Sequence, residues 1–252
     1  MKKADNLTVV ILTKNEEKNI VDVVRNASRV TDDILIIDSG STDKTVELAK
    51  QEKARVVYRA WDNDFAAQRN FAFEHTDKEW ILYLDADERL NDELVEAIKS
   101  VVKSSARKQY SILRKIYAFG FEYKHGIFKP DEVLRMFPTN SVKWEHKVHE
   151  RPICDLPKER LAGFIEHYTY DSWQQWWDKA GHYTSIWAQD NYAKGKRTTL
   201  AACFAHSIYG FIRAYFIQLG FVDGWSGLYS SFQHSIYTMM KYLKLYELKQ
   251  KK

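Results

Sequence analysis

The stretch Trp80-Ile81-Leu82-Tyr83-Leu84-Asp85-Ala86-Asp87-Glu88 decides the fold. An apolar run of strand length stops at two carboxylates one residue apart. In a parallel α/β sheet, ligands bind in the crevice outside the carboxyl ends of the strands. Residues i and i+2 of an extended segment point the same way, so Asp85 and Asp87 converge on one hard cation. Mg²⁺ or Mn²⁺ suits such a pair, because these ions take a few carboxylate oxygens and fill their shell with substrate phosphate oxygens. The triplet alone is common by chance. Its place at the end of a buried strand is what gives it weight.

Outward from that strand, the first hundred residues alternate between two periods. Leu7 to Thr13, Ile34 to Asp38 and Arg55 to Arg59 read as strands. Ile20, Val23, Val24, Ala27 and Val30 recur at helical spacing, and helices are expected from Asp43 to Lys53, Phe65 to His75 and Asn91 to Lys103. Repeated strand–helix alternation predicts an α/β fold, a mostly parallel, Rossmann-like sheet flanked by helices. After residue 105 the pattern changes. Gln109 to Phe119 and Glu132 to Phe137 look β-like, Lys143 to Glu150 gathers Trp144, His146, His149 and Glu150, and the chain from Ser172 onward looks helical. Its helices are expected over Trp173 to Tyr192, Leu200 to Leu219 and Ser226 to Lys249. The expected division is residues 1–170 as the catalytic domain and 171–252 as a helical appendage.

With 252 residues, 45% hydrophobic and 29% charged, the chain has an ordinary globular composition. Cys154 and Cys203 are far apart and lack metal-type spacing, so a reduced cytoplasmic setting with incidental thiols is expected. Met1-Lys2-Lys3-Ala4-Asp5-Asn6 has neither the apolar core nor the cleavage site of a signal peptide. Charge is uneven. Lys194 to Lys252 holds seven Lys, two Arg and two acids, a net +7, which leaves −3 on the preceding residues. The tail's uncharged runs, Thr198 to Ile212 and Gly224 to Met240, are short and contain polar residues, so a membrane-spanning helix is not expected. Aromatic, aliphatic and basic residues together fit helices lying on an anionic membrane surface. A packed helical cap or a homo-oligomer contact is the other reading of the same tail.

Four blocks lie where a strand ends or the following helix opens: Thr13-Lys14-Asn15-Glu16-Glu17, Asp38-Ser39-Gly40-Ser41-Thr42-Asp43, Gln68-Arg69-Asn70 and Asp85-Ala86-Asp87-Glu88. In that order and spacing the chain resembles the family-2 glycosyltransferases of the GT-A fold, and within them the bacterial lipopolysaccharide-core β-1,4-glucosyltransferase subgroup. Val148-His149-Glu150, His167-Tyr168 and Gly220-Phe221-Val222-Asp223-Gly224 extend the resemblance. It implies a metal-dependent, inverting transfer of one sugar, glucose in that subgroup, from a UDP-sugar to a membrane-associated glycolipid. The expected location is peripheral, on the cytoplasmic face of the inner membrane. Nucleic acid is not an expected partner.

The resemblance also assigns roles. Asp85 and Asp87 are expected to hold the metal, with His167 completing the shell; a core histidine and His149 are the alternatives to His167. Thr13, Asn15, Glu16, Asp38, Arg69 and Asp85 are expected to line the nucleotide-sugar pocket, although Asn15 also suits a helix cap. Arg69 lies in an apolar stretch, where a guanidinium must be paired, with phosphate or with an internal acid. Glu150 is the first choice for the base that takes the acceptor proton and Asp131 the second. Trp173, Trp176 and Trp177 read as packing residues rather than a sugar platform. Ser39 stands where many family members carry a second aspartate, which bears on nucleobase preference. Two alternatives keep the fold but change the function: transfer to a protein or peptide, and a non-enzymatic, membrane-docked scaffold.

Overall fold

A computed structural model describes residues 3–146 and 150–250. Within them the chain divides into two compact units, Met1–Arg114 with Asp131–His167, and Lys115–Pro130 with Tyr168–Lys252.

The first unit is built on β1 (Leu7–Thr13), β2 (Ile34–Asp38), β3 (Arg55–Tyr58) and β4 (Trp80–Asp85), which pair in parallel in the order β3-β2-β1-β4. β1, β2 and β4 are buried almost throughout, so their sequences are continuous apolar runs rather than alternating ones. Successive side chains feed opposite layers. Val9, Ile11, Ile36, Leu82 and Leu84 pack with α1 (Ile20–Ala27) and α4 (Asp92–Lys103), while Val10, Leu35, Ile37, Ile81 and Tyr83 pack with α3 (Phe65–Phe71) and Trp144. The register pairs Thr13 with Asp38 and Leu12 with Asp85, so the polar ends of three strands form one row.

The sheet then turns antiparallel through β8 (Asp131–Pro138), β6 (Gln109–Ala118), β11 (Lys158–Tyr170) and β5 (Glu88–Leu90). β11 did not stand out in the sequence because it is half-exposed and carries few buried apolar residues. Asn91 ties it to α4: its Oδ1 accepts the Leu94 N–H at 3.0 Å as a helix cap and the Phe164 N–H at 2.9 Å. Gly163 makes that approach feasible, since a Cβ there would lie 2.3 Å from the Leu94 nitrogen. A small ribbon, β9 (Lys143–Glu145) with β10 (Arg151–Ile153), completes the unit. Two helices are shorter than their sequences suggest. α2 spans only Thr45–Gln51 because residues 41–44 are drawn into loop hydrogen bonds, and α3 gives way to a 3₁₀ turn over Ala72–His75.

The second unit contains α5 (Trp173–Ala193), α6 (Leu200–Ile212) and α7 (Gly224–Gln250), with β7 (Phe121–Tyr123) paired to residues Ile116–Ala118. A π-turn over Arg213–Ile217 prolongs α6 through the charge that breaks its apolar run in sequence. Leu200–Ile217 is therefore long and apolar enough to cross a membrane by length and composition. Trp176 is buried and Trp173 stacks on it at 4.8 Å and packs at a tilt against Tyr229 at 4.7 Å, while Trp177 is exposed. Lys244 buries its ammonium against the Gly181 carbonyl and the Thr184 and Ser185 hydroxyls at 2.6–2.8 Å.

Candidate active site

The loops leaving β1 and β2 are fastened to each other. Asn15 sits at φ +57°, a conformation asparagine tolerates better than most residues. Its N–H donates to Ser41 Oγ at 2.9 Å and its Oδ1 accepts the Thr42 N–H at 2.8 Å. The Glu16 N–H donates to Thr45 Oγ1 at 2.7 Å and the Glu17 N–H to Asp43 at 3.2 Å. Glu16 also accepts from Asn19 at 2.8 Å, steadying the entry to α1. Asp38 is buried beneath these loops. One of its oxygens accepts the Gly40 and Ser41 N–H groups at 2.8 and 2.9 Å, and the other faces the Ser41 and Thr13 hydroxyls. Thr13, Asn15, Glu16 and Asp38 thus come together as one wall at the strand ends.

The end of β4 is a charge network. Asp85 Oδ1 lies 3.0 Å from Arg69 Nη2, and Oδ2 lies 2.7 Å from Arg135 Nη2. The same Arg135 nitrogen is 2.6 Å from Glu88 Oε1, and Glu88 Oε2 accepts the Asp85 N–H at 3.0 Å. Arg114 reaches Glu88 at 3.5 Å and Asp131 at 2.7 Å. Arg69 Nε reaches Glu150 at 3.2 Å. Burial works against charge on Asp85, but Arg135 and Arg69 outweigh it and hold the carboxyl far below the ordinary range. Glu88 goes the other way: full burial pushes its carboxyl up despite Arg135. Both oxygens of Asp85 are taken by guanidiniums rather than left open, and Arg69 is paired internally, with its Nη1 buried and without a partner.

Asp87 and His167 form a separate pair, Oδ2 to Nε2 at 3.2 Å. Two ligands about 2.1 Å from an octahedral ion, on adjacent corners, lie roughly 3.0 Å apart. The pair therefore fits two coordination positions of one Mg²⁺ or Mn²⁺. Among the described residues no group of three or more His, Cys, Asp or Glu side chains could hold a metal, so remaining positions would fall to substrate oxygens and water. Burial alone would lower the His167 pKa, but the hydrogen bond to Asp87 and the charges of Asp87 and Glu88 raise it. The same field that draws a proton to this position favours a cation.

The helix carrying Arg69 is fixed on both sides. Gln68 donates to the Arg59 and Ala60 carbonyls at 3.1 and 3.3 Å. Asn70 exchanges two hydrogen bonds with the Trp144 backbone, at 2.8 and 2.9 Å. The Arg69 guanidinium lies over the Trp144 ring at 4.8 Å and the Tyr83 ring at 5.5 Å. Glu150 and Asp131 both belong to the network, Glu150 through Arg69 and Asp131 through Arg114. His149 and Val148 lie outside the described residues. Sequence reasoning missed Arg135, Arg114 and Glu88 as members. Arg135 carried a usable signal, a lone guanidinium in the apolar run Val133-Leu134-Arg135-Met136-Phe137, which is the argument that found Arg69.

The chain is 28% identical to an uncharacterized glycosyltransferase of Rickettsia typhi, over 97% of this chain and 87% of that one. It is 27% identical to the lipopolysaccharide core biosynthesis glycosyltransferase LpsC of Rhizobium meliloti, over 96% and 92% of the two chains. The crystal structure of S. aureus TarS aligns at 13% identity and a TM-score of 0.48, covering 65% of this chain and 37% of TarS. Residues 8–145, more than half of the chain, match the family described as glycosyl transferase family 2. With its mixed α/β sheet, parallel through β3-β2-β1-β4, the chain belongs to glycosyl transferase family 2.

Proposed function

We propose that this glycosyltransferase is metal-dependent and inverting, and moves a single sugar from a UDP-sugar to a membrane-associated glycolipid on the cytoplasmic face of the inner membrane. Glucose, the sugar of the subgroup resembled, is the first donor to test. The observation that carries the reading is the Asp87–His167 pair beside a network richer in carboxylates than in guanidiniums. In the network Asp85, Glu88, Asp131 and Glu150 stand against Arg69, Arg114 and Arg135, and Asp87 lies beside it. Such a site repels a diphosphate unless a cation accompanies it. The length-wide similarity to LpsC, named for lipopolysaccharide core biosynthesis, supports the glycolipid acceptor.

In this mechanism Asp87 and His167 would hold the Mg²⁺ or Mn²⁺, and that ion would neutralise the diphosphate and its developing charge. The wall of Thr13, Asn15, Glu16 and Asp38 receives the nucleoside. Arg69 and Asp85 face the donor between that wall and Glu150. Glu150 takes the proton of the acceptor hydroxyl as its oxygen bonds to the anomeric carbon. The bond from that carbon to the diphosphate oxygen breaks on the opposite side, which inverts the centre and releases UDP. Asp131 is the second choice of base.

A panel of UDP-sugars assayed for Mn²⁺-dependent UDP release tests this. Turnover by Asp87→Ala is expected to fall by about 10²–10³-fold, the range for losing a transition-state charge stabiliser. UDP with Mn²⁺ is expected to raise the melting temperature of the wild type and not of Asp87→Ala. If UDP and metal leave the wild type unshifted and Asp87→Ala keeps full turnover, the reading fails.

A further inference from the structure

The second unit packs its helices inside out for a protein surrounded by water. On α6 the residues turned inward are small: Cys203, Ser207, Gly210 and Ala214 are buried. Ser207 and Ser235 of α7 exchange hydrogen bonds at 2.9–3.0 Å, each hydroxyl donating to the other's carbonyl. A Cβ on Gly210 would come within 3.2 Å of Thr238 Oγ1, and one on Gly227 would lie 1.7 Å from the Gly220 carbonyl oxygen. The large apolar residues face outward instead. Leu200, Phe204, Ile208, Ile212 and Phe216 recur every fourth position as one stripe, each 42–60% exposed. Phe221, Val222 and Phe232 are also exposed, and Trp225 is 84% exposed. A helix in water turns its large apolar face to the core. Small residues between helices and large apolar ones outside are the arrangement found where lipid is the surroundings.

Charge identifies what covers this stripe. Exposed Lys194, Lys196 and Arg197 precede α6, and exposed Arg213 follows it. No Asp or Glu occurs from residue 194 to residue 222. A second copy of the chain seated on the stripe in either direction would set cations against cations. An anionic lipid surface instead meets cations ahead of the stripe and at its last turn, with apolar side chains between them and beyond. α6 is bound to α7 along its inner face, which leaves one face for lipid and suits a helix lying in the interface plane.

We infer that α6, its π-turn and the start of α7 form a docking face for an anionic lipid bilayer, with the stripe from Leu200 to Phe216 in the acyl region and Lys196, Arg197 and Arg213 on the head groups. The glycolipid reading gives this face its purpose, but the packing argument stands without the donor chemistry.

The test floats the full chain through a density gradient with phosphatidylcholine vesicles, with and without phosphatidylglycerol. The wild type is expected to float with the anionic vesicles and much less with neutral ones. Phe204→Gln/Ile208→Gln/Phe216→Gln, all at exposed positions, is expected to reduce flotation about tenfold or more. Lys196→Gln/Arg197→Gln/Arg213→Gln is expected to lose the preference for anionic lipid. Circular dichroism and UDP binding with Mn²⁺ on the same samples report folding and the donor site, so failure of the donor reading shows there and not in flotation. The inference is overturned if the wild type stays in solution with both vesicles, or if the triple apolar variant floats equally well. A vesicle-free dimer that the apolar variant dissolves, with flotation unchanged, would overturn it in favour of self-association.

Discussion

The two units solve opposite packing problems. The first buries large aliphatic and aromatic side chains on both faces of a sheet and places its polar chemistry at one row of strand ends. The second keeps small polar residues between its helices and turns large apolar ones outward. At the end of β4 in the first unit the buried polarity is ionic. In the second it is hydroxyl and glycine, and its effect is to let backbones approach. The exceptions stand out in each case: guanidiniums inside the first unit, phenylalanines and isoleucines outside the second.

The contrast is sharpest at Arg135. Replacing it with Met removes the short ion pairs of Glu88 and of one Asp85 oxygen, leaving Glu88 with only Arg114 at 3.5 Å and the Asp85 N–H, and urea unfolding is expected to show a loss of about 3–5 kcal/mol. Adding Glu88→Leu is expected to recover part of that loss; a double variant weaker than the single would break the picture of a pair whose burial is costly only when split. The second unit should be most sensitive where it is smallest. Gly227→Ala places a methyl against the Gly220 carbonyl and is expected to cost about 1–3 kcal/mol or prevent folding of that unit.

A subtler test uses acid. Burial would raise the Asp223 pKa, but the His125 ring at 2.7 Å and the N–H groups of His125 and Lys124 outweigh it and lower it. A carboxylate depressed in the folded state adds stability above its unfolded pKa, and that stability disappears as pH falls through the folded pKa. Asp223→Asn should therefore be less stable than the wild type near neutral pH, by about 1 kcal/mol, and the gap should close in acid. A gap that persists unchanged at low pH would remove Asp223 from the account. The smallest effect is expected on the outward stripe: Ile208→Gln should change stability in solution by less than about 0.5 kcal/mol, because an exposed side chain loses little.

Much of the first unit was legible because its signals are local. Continuous apolar runs ending in Thr13, Asp38 and Asp85 fix the parallel strands, and the ends of such strands are where ligands bind. Thr13 and Asp38 close such strands and Asn15 and Glu16 follow the first of them, while the cost of an unpaired charge pointed to a partner for Arg69. Residues that act through contacts distant in sequence were harder. Glu88 received no role in the sequence, yet it is fully buried, and Arg135, from a strand some fifty residues later, meets it. β11 was missed since a half-exposed strand has no strong period, and with it the reason His167 comes to face Asp87. In the tail, composition showed aromatic, apolar and basic residues together. Only the fold shows that they are sorted, with the small residues inside and the large ones out.

The row of strand ends carries one more consequence. Asp38 ends β2 and Asp85 ends β4, with β1 between them, so two interstrand spacings separate the two positions, about 9–10 Å. The hydrogen-bonded sheet is thus a ruler whose graduations no side-chain motion can alter. A molecule that touches both marks must be extended and at least that long, which a lone phosphate or a single sugar is not.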